Sequence, residues 1–141
     1  MSRYLLDTNI ISDAIKPAPS PSLSAWMLQQ VAEDLFIASI TLGEIWRGIL
    51  EKSIGKKRRA LESWFLSQQG PRTTFAGRIL LFDEKAGLIW GRLMAEGTNA
   101  GRPRSGLDMI VAAIAEANNC TLVTANEKHF AGLKFINPMR L

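Results

Sequence analysis

The sequence has little of the chemistry that cysteine and histidine provide, since its 141 residues include one of each. Cys120 has no partner for an intrachain disulfide and no neighbouring ligands at metal-site spacing, which argues against a disulfide scaffold or a structural zinc site. No apolar run approaches the ~20 residues that cross a bilayer. The N-terminus lacks an apolar signal segment followed by a small-residue cleavage site. These absences predict a protein of the reducing cytoplasm, with no membrane attachment.

The composition is that of an ordinary globular chain with a basic excess. Hydrophobic residues make up 47% and charged residues 21% of the sequence, a balance that argues against disorder. The length fits a single domain over residues 1–141, and the sequence contains no internal repeat. The 17 Lys and Arg residues outnumber the 13 Asp and Glu residues, which gives a net charge of +4. A basic surface suits a polyanionic partner such as a nucleic acid.

Short apolar runs alternate with helical patterns along the chain. The predicted strands lie at 4–6, 35–40, 79–82 and 121–124, with a candidate fifth at 134–137. The predicted helices cover 10–15, 23–31 and 106–118, begin near 41 and 84, and include one around 61–66. Loops are expected at 16–21, which holds three prolines, and at 97–104. Such alternation predicts an α/β fold with a mostly parallel sheet of four to five strands covered by helices.

Asp7 follows directly after the first apolar run, and Thr8 and Asn9 follow Asp7. A carboxylate at the carboxyl end of a central strand lies where open α/β sheets bind their ligands. The other interpretation of Asp7 is an N-cap or turn residue for the helix that follows. An N-cap alone does not explain why the aspartate comes directly after a buried strand.

Three further residues are predicted to lie at the same edge of the sheet as Asp7. Glu44 is expected in the first turn of the helix after strand two, and Asp108 in the first turn of the helix before strand four. That helix rises about 18 Å at ~1.5 Å per residue. Strand four returns by nearly the same length at ~3.3 Å per residue, which brings Asn126 level with Asp108.

Carboxylates without cysteine form a hard-oxygen site that suits Mg²⁺ or Mn²⁺. Such an ion activates water and offsets charge that develops on a phosphate. The patterns Thr41-x-x-Glu44 and Ser105-x-x-Asp108 also resemble capping boxes, so each acid has a purely structural interpretation. The combination of all three acids at one edge favours a site over the separate caps.

Other polar and aromatic residues have structural interpretations as well. His129 is interpreted as a surface or packing residue. The four tryptophans fall on apolar helix faces and are expected to pack in the core or between subunits, and the basic run 56–59 is expected to be a solvated face. Arg102 and Arg104 precede Asp108 and are candidates for phosphate contacts.

Four segments in this order and spacing resemble a PIN domain, and more narrowly a VapC-type toxin of a type II toxin–antitoxin system, close to the FitB-like branch. They are Leu5–Ser12, Thr41–Glu44, Leu107–Ala113 and Leu122–Phe130. The resemblance covers residues 4 to about 138. It implies a three-layer α/β/α sandwich and endoribonuclease activity that depends on Mg²⁺ or Mn²⁺. It also implies a homodimer, inhibition by a cognate antitoxin and assembly into a larger toxin–antitoxin complex.

Matched position by position, the resemblance makes Asp7, Glu44 and Asp108 the acidic metal ligands. Thr8, Asn9 and Thr124 become supporting polar groups. Many relatives have Asp where this chain has Asn126, and another acid where it has His129. Asn126 keeps a carbonyl oxygen but adds no negative charge, so one metal ion is expected in place of two.

Two other functions remain open at this point. A non-catalytic RNA- or protein-binding module would fit the same scaffold, with Asn126 marking a weakened site. A phosphotransfer domain with Asp7 as nucleophile would need a second aspartate at position 9, where this chain has Asn9.

Overall fold

The computed structural model describes residues 2–140. Its strands are β1 (Tyr4–Leu6), β2 (Leu35–Ala38), β3 (Ile79–Leu80), β4 (Thr121–Val123) and β5 (Phe135–Ile136). They form a single sheet in the order β3-β2-β1-β4-β5. All four strand pairs are parallel. The parallel sheet and its fifth strand are therefore confirmed.

Within residues 2–140, seven helices connect the strands. They are α1 (Thr8–Ala14), α2 (Pro21–Leu28), α3 (Ser39–Leu50), α4 (Lys56–Leu66), α5 (Pro71–Thr74), α6 (Glu84–Asn99) and α7 (Gly106–Ala117). Short 3₁₀ turns occur at Ala32–Asp34, Glu127–Phe130 and Pro138–Arg140. In the described part of the chain no helix is long and apolar enough to cross a membrane.

Two hydrophobic cores lie on opposite faces of the sheet, because successive residues of a strand point to opposite sides. Leu5 belongs to the core that α6 and α7 cover, where it joins Leu93 and Met109. The next residue, Leu6, belongs to the other core and joins Ile10 of α1 and Ile45 of α3. Helices cover both faces, which confirms the three-layer α/β/α sandwich.

Helix α3 begins at Ser39, two residues before the predicted start, and Ala38 occupies its N-cap position. Thr41 is therefore inside the helix. It is fully buried, and its hydroxyl has no hydrogen-bond partner among the described residues. The capping-box interpretation of Thr41 and Glu44 is wrong, and Glu44 lies in the second turn. The apolar run 35–40 contains all of β2 and the first two residues of α3, and periodicity cannot separate a strand from a helix over six residues.

Helix α6 continues to Asn99, although a loop was predicted from Gly97. Its end is a Schellman motif, in which Arg102 N donates to Gly97 O at 2.8 Å and Gly101 N donates to Thr98 O at 3.1 Å. Gly101 adopts the left-handed φ of +71° that this motif requires. A Cβ on Gly97 would lie 2.9 Å from Arg102 O. Gly97 therefore allows a close approach of the following loop and does not break the helix.

Other boundaries shift by a few residues. Helices α1 and α2 each begin two residues earlier than predicted, and β3 ends at Leu80 instead of 82. The basic run forms the first turn of α4 and is mostly exposed, as expected for a solvated face. The core-packing interpretation of the tryptophans is also confirmed, since Trp26 meets the ring of Tyr4 edge-on and Trp46 stacks on Phe65.

Candidate active site

Asp7 lies between the end of β1 and the start of α1, with 4% of its surface exposed. Its Oδ1 accepts a 2.9 Å hydrogen bond from Thr8 N, so it does cap α1. Its Oδ2 accepts hydrogen bonds from Thr124 Oγ1 at 2.9 Å and from Asn9 Nδ2 at 3.1 Å. The capping role and the site position therefore coexist in one residue.

Burial raises the pKa of Asp7 above its ordinary value, and the negative charge of Asp108 raises it further. The hydrogen bonds from Thr8, Thr124 and Asn9 act in the opposite direction, because they stabilise the carboxylate. The result is a desolvated acid whose ionised form is less favourable than in water. A cation placed beside it would remove that penalty.

A polar network links the ends of β1 and β4 around Asp7. Asn9 Oδ1 accepts from Ala125 N at 3.0 Å, and Asn9 Nδ2 also reaches Thr124 Oγ1 at 3.2 Å. The same hydroxyl of Thr124 accepts from Asn126 N at 3.0 Å. Thr124 is fully buried. The structure thus places Asn9 and Thr124 around the carboxylate of Asp7, which they were predicted to support.

Glu44 reaches the same edge of the sheet from α3. Its Oε1 accepts a 2.8 Å hydrogen bond from the hydroxyl of Thr8, which joins α3 to the first turn of α1. Burial raises the pKa of Glu44, and the charges of Asp7 and Asp108 add to the increase. The three acids are therefore close enough to influence one another electrostatically.

Asp108 lies in the first turn of α7, as predicted. The hydroxyl of Ser105 caps this helix by accepting from Asp108 N at 3.2 Å, which confirms the cap interpretation for Ser105. The indole of Trp90 holds the same turn by donating to Gly106 O at 3.0 Å. The carboxylate of Asp108 is not used in this cap and is one-fifth exposed.

His129 contacts the site, which the sequence analysis missed. It is exposed, as expected, but its Nδ1 lies 2.8 Å from Asp108 Oδ2 and 2.7 Å from Asn126 Nδ2. A single ring nitrogen cannot donate to the carboxylate and accept from the amide at once. Because the carboxylate can only accept, we assign the proton to Nδ1 and turn the Asn126 amide so that its oxygen faces the ring.

The signal for His129 was present in the sequence. Asn126 and His129 are three residues apart, and Asn126 is the N-cap of the 3₁₀ turn Glu127–Phe130, where His129 N donates to Asn126 O at 3.2 Å. Side chains at i and i+3 eclipse in such a turn. The structure places Asn126 at the Asp108 side of the site, where its amide contacts His129.

The two arginines differ in their surroundings. Arg104 is engaged within the protein, where Nη1 donates to Leu93 O at 2.7 Å and lies 3.6 Å from Glu96 Oε1. Arg104 was predicted only to contact phosphate. The structure adds a second role, in which Arg104 ties the α6–α7 connection to α6. Arg102 is exposed, and its side chain makes no hydrogen bond or salt bridge within residues 2–140.

The donor set fits a divalent cation that keeps part of its water shell. Within the described chain no three His, Cys, Asp or Glu side chains are close enough to enclose an ion directly. Mg²⁺ does not need such an enclosure, because it retains several waters and uses one or two carboxylates. Burial raises the pKa values of Asp7 and Glu44, repulsion from the other acids adds to the increase, and a nearby cation would offset both effects. The site fits a divalent metal in its chemistry.

The chain matches the family described as "PIN domain" over residues 4–136. It is 32% identical over 136 residues to "Toxin FitB" of Neisseria gonorrhoeae, covering 95% of this chain and 96% of that protein. It is 33% identical over 136 residues to "VapC ribonuclease Y4jK" of Sinorhizobium fredii, with the same coverage. The solved structure of FitAB bound to the IR36 DNA fragment superposes with a TM-score of 0.88 at 31% identity, over 98% of this chain and 96% of that one. The chain therefore belongs to the PIN-domain family, whose ribonucleases depend on divalent metal ions.

Proposed function

We propose that this PIN domain is an endoribonuclease that hydrolyses RNA phosphodiester bonds with the help of Mg²⁺, for which Mn²⁺ can substitute. The observation that carries the proposal is the convergence of Asp7, Glu44 and Asp108 from three separate elements. They meet at the carboxyl edge of the sheet, and the pKa values of the first two are raised. The name "VapC ribonuclease" of a relative that is 33% identical supports RNA as the substrate.

Asp7, Glu44 and Asp108 would hold the ion, in part through water. The bound ion would supply a Lewis acid that orients and acidifies a water for attack on the phosphorus. Asn126 contributes no charge, so the site suits one ion. Clustered carboxylates repel one another, which limits how many can be ionised when no cation is present.

The remaining site residues position these carboxylates. Thr8 fixes Glu44 through its hydroxyl and Asp7 through its backbone N–H. Thr124 and Asn9 orient the second oxygen of Asp7. His129 holds one oxygen of Asp108. The carboxylates are thereby pre-oriented before substrate arrives, which lowers the cost of assembling the site.

We propose further that the protein is the toxin of a type II toxin–antitoxin pair and acts in the cytoplasm. The relative named "Toxin FitB" supports this assignment. The partner would be a cognate antitoxin, with which the toxin would form a larger assembly. A separate small protein is expected to be encoded next to this chain.

An apolar groove beside Glu44 suits this antitoxin. It has a volume of about 510 Å³ and lies between α1, α3 and α4. Its walls include Ile15, Ile45, Ile49 and Leu61, and Thr8 and Glu44 form its edge towards the site. An antitoxin segment seated here would reach the carboxylates, so occupation of the groove would block the site.

Ile15→Glu tests the groove, because Ile15 is 40% exposed and the change should not unfold the protein. We expect it to weaken binding of the antitoxin encoded beside this chain by about tenfold or more, in isothermal titration calorimetry. Leu28→Glu is the matched control, since Leu28 is 87% exposed and does not line the groove. Equal antitoxin affinities of the two variants would exclude the groove as the antitoxin-binding site.

Homodimerisation belongs to the same proposal. Leu81, Phe82 and Leu88 follow the edge strand β3 and are 65%, 44% and 75% exposed. Exposed apolar side chains grouped in one segment are typical of an interface, and a second copy of this chain would bury them. Analytical ultracentrifugation of wild type and Leu88→Glu tests this, since a monomeric wild type would exclude a dimer.

The cleavage test compares wild type with Asp7→Asn on a structured RNA. We expect cleavage by wild type in Mg²⁺ or Mn²⁺, loss of cleavage in EDTA, and a reduction of at least ~10²-fold in Asp7→Asn. Asp34→Asn is the matched control, because Asp34 lies in the turn before β2, away from the site. Wild-type cleavage by Asp7→Asn would exclude the assignment. RNA binding that survives EDTA without cleavage in Mn²⁺ would favour a non-catalytic binding module.

A further inference from the structure

A second cleft approaches the site from the side opposite the apolar groove. It has a volume of about 470 Å³ and lies between the α6–α7 connection and the 3₁₀ turn Glu127–Phe130. We call it the basic cleft. The side chains that matter for its chemistry are Arg102, Arg104, Ser105, Lys128 and His129.

The basic cleft carries uncompensated positive charge. Arg102 and Lys128 are exposed, and neither side chain makes a hydrogen bond or salt bridge within residues 2–140. Arg104 adds a third cation, which is partly offset by Glu96 at 3.6 Å. None of the described residues that line the cleft is acidic. Its charge and shape therefore favour an anion.

The wall of the cleft that the α6–α7 connection forms is held in place by backbone hydrogen bonds and close packing on α6. The Schellman motif at the end of α6 fixes the backbone of Arg102. Gly97 lets that loop pack directly on α6, since a Cβ there would lie 2.9 Å from Arg104 Cγ. Arg104 in turn is tied to Leu93 O at 2.7 Å. The backbone of the loop is thus fixed, and the exposed side chain of Arg102 extends from it.

The basic cleft opens onto the acidic site through His129. This residue lines the cleft, and its Nδ1 lies 2.8 Å from Asp108 Oδ2. Ser105, which caps the helix that carries Asp108, lines the cleft as well. A chain-like ligand whose one unit lies at the acids would place a neighbouring unit in the cleft.

The two openings of the site differ in chemistry. The apolar groove is walled largely by aliphatic side chains and has Glu44 on its edge. Its cations are Lys16, Lys52 and Lys57, and Lys16 lies 3.4 Å from Asp13 Oδ1, so acidic groups offset part of their charge. The basic cleft presents charged and polar groups. RNA nucleotides that are recognised in pockets are unpaired and splayed out, because duplex bases are inaccessible.

We infer that the basic cleft binds the single-stranded RNA segment adjoining the scissile phosphate, with backbone phosphates on Arg102 and Lys128. The RNA then leaves the site on the Asp108 side, and the Glu44 side remains available to a protein partner. This inference rests on the proposed ribonuclease function, since it extends the same site. Lys128 becomes a substrate-binding residue, and Arg104 shapes the cleft and adds charge.

The test measures binding of a short fluorescein-labelled single-stranded RNA by anisotropy, in the Asp7→Asn background to prevent cleavage. The variant is Arg102→Gln/Lys128→Gln, and the matched control is Lys52→Gln/Lys57→Gln, which removes two charges from the apolar groove. We expect the cleft variant to bind about tenfold more weakly. The slope of log affinity against log salt should fall by up to ~1.4, since each lost phosphate contact on a single strand contributes ~0.7. The control should keep the parent slope.

The inference is overturned if both double variants lose RNA affinity equally, or if the cleft variant binds RNA as tightly as the parent. Weaker binding of the antitoxin by the cleft variant, with RNA binding unchanged, overturns it too and assigns the cleft to a protein. Cleavage assays with Asp7 intact separate this inference from the proposed function. If the protein cleaves RNA and the cleft variant has an unchanged KM, the RNA-binding role of the cleft is rejected and the nuclease function stands. If the protein never cleaves RNA but the cleft variant loses RNA binding, the nuclease function is rejected and the RNA-binding role of the cleft stands.

Discussion

The hydroxyl of Thr124 donates a 2.9 Å hydrogen bond to Asp7 Oδ2, across 117 residues of sequence. Both residues are buried, and they follow adjacent parallel strands. The contact joins the ends of β1 and β4 and holds the carboxylate that the proposed function needs. The stability of this corner and the ionisation of Asp7 are consequently coupled.

Thr124→Val should lower both stability and activity. It removes the donor to Asp7 and leaves the N–H of Asn126 without its acceptor, so we expect a loss of about 1–3 kcal/mol in the free energy of unfolding. Because this bond lowers the pKa of Asp7, the variant should need a higher pH to ionise the acid. Urea denaturation and a pH profile of RNA cleavage measure the two effects. Thr124→Ser should restore both, and Thr121→Val on the same strand should change neither profile.

The metal-free protein should become less stable as pH rises through the acidic range. Asp7 and Glu44 have raised pKa values in the folded state, so the folded protein holds protons that the unfolded chain releases. The contribution of these two acids to stability is then greatest below the unfolded value, near 3.8 for Asp7, and is lost as pH rises through the folded-state pKa. Each unit of elevation corresponds to ~1.4 kcal/mol.

Urea denaturation in EDTA across this range measures the pH effect. The decrease in the free energy of unfolding per pH unit should be smaller in Asp7→Asn, and smaller in the wild type when Mg²⁺ is added. A wild-type slope that matches that of Asp7→Asn would contradict the assignment of Asp7 as the principal titrating group.

His129 should act by positioning Asp108. His129→Ala removes the hydrogen bond to Asp108 Oδ2, and loss of such an outer contact typically reduces metal affinity or activity by about 10–100-fold. His129→Asn can place an amide donor near the position of Nδ1 and should recover part of the loss. The measurement is the Mg²⁺ concentration for half-maximal cleavage, and equal values in all three proteins would rule out a positioning role.

Two glycines of α6 should respond oppositely to alanine. A Cβ on Gly97 would lie 2.9 Å from Arg102 O and Arg104 Cγ, so Gly97→Ala should destabilise the protein by about 1–3 kcal/mol. Gly91 has no atom within 4 Å of its Cβ position. Gly91→Ala should stabilise the helix by about 0.5–1 kcal/mol through helix propensity. Thermal unfolding of both variants gives the comparison, and destabilisation by Gly91→Ala would contradict this account of the helix.

The order of elements and three of the acids could be predicted from local pattern. Apolar runs that end on a polar residue identify parallel strands, and periodicity identifies α6 and α7. Asp7 and Asp108 were placed correctly because each lies next to a strand or helix end. Glu44 was placed one turn too early, since the run 35–40 does not mark where β2 becomes α3.

The sequence by itself determined the alternation of strands and helices, the basic charge and the acids at the ends of elements. These features depend only on composition and local spacing. Only the tertiary structure decided which polar groups meet. It paired His129 with Asp108 across 21 residues and Thr8 with Glu44 across 36. It also turned Arg104 towards Leu93 and left Arg102 exposed in a cleft. Such contacts follow from how helices pack on the sheet, and no local pattern encodes that packing.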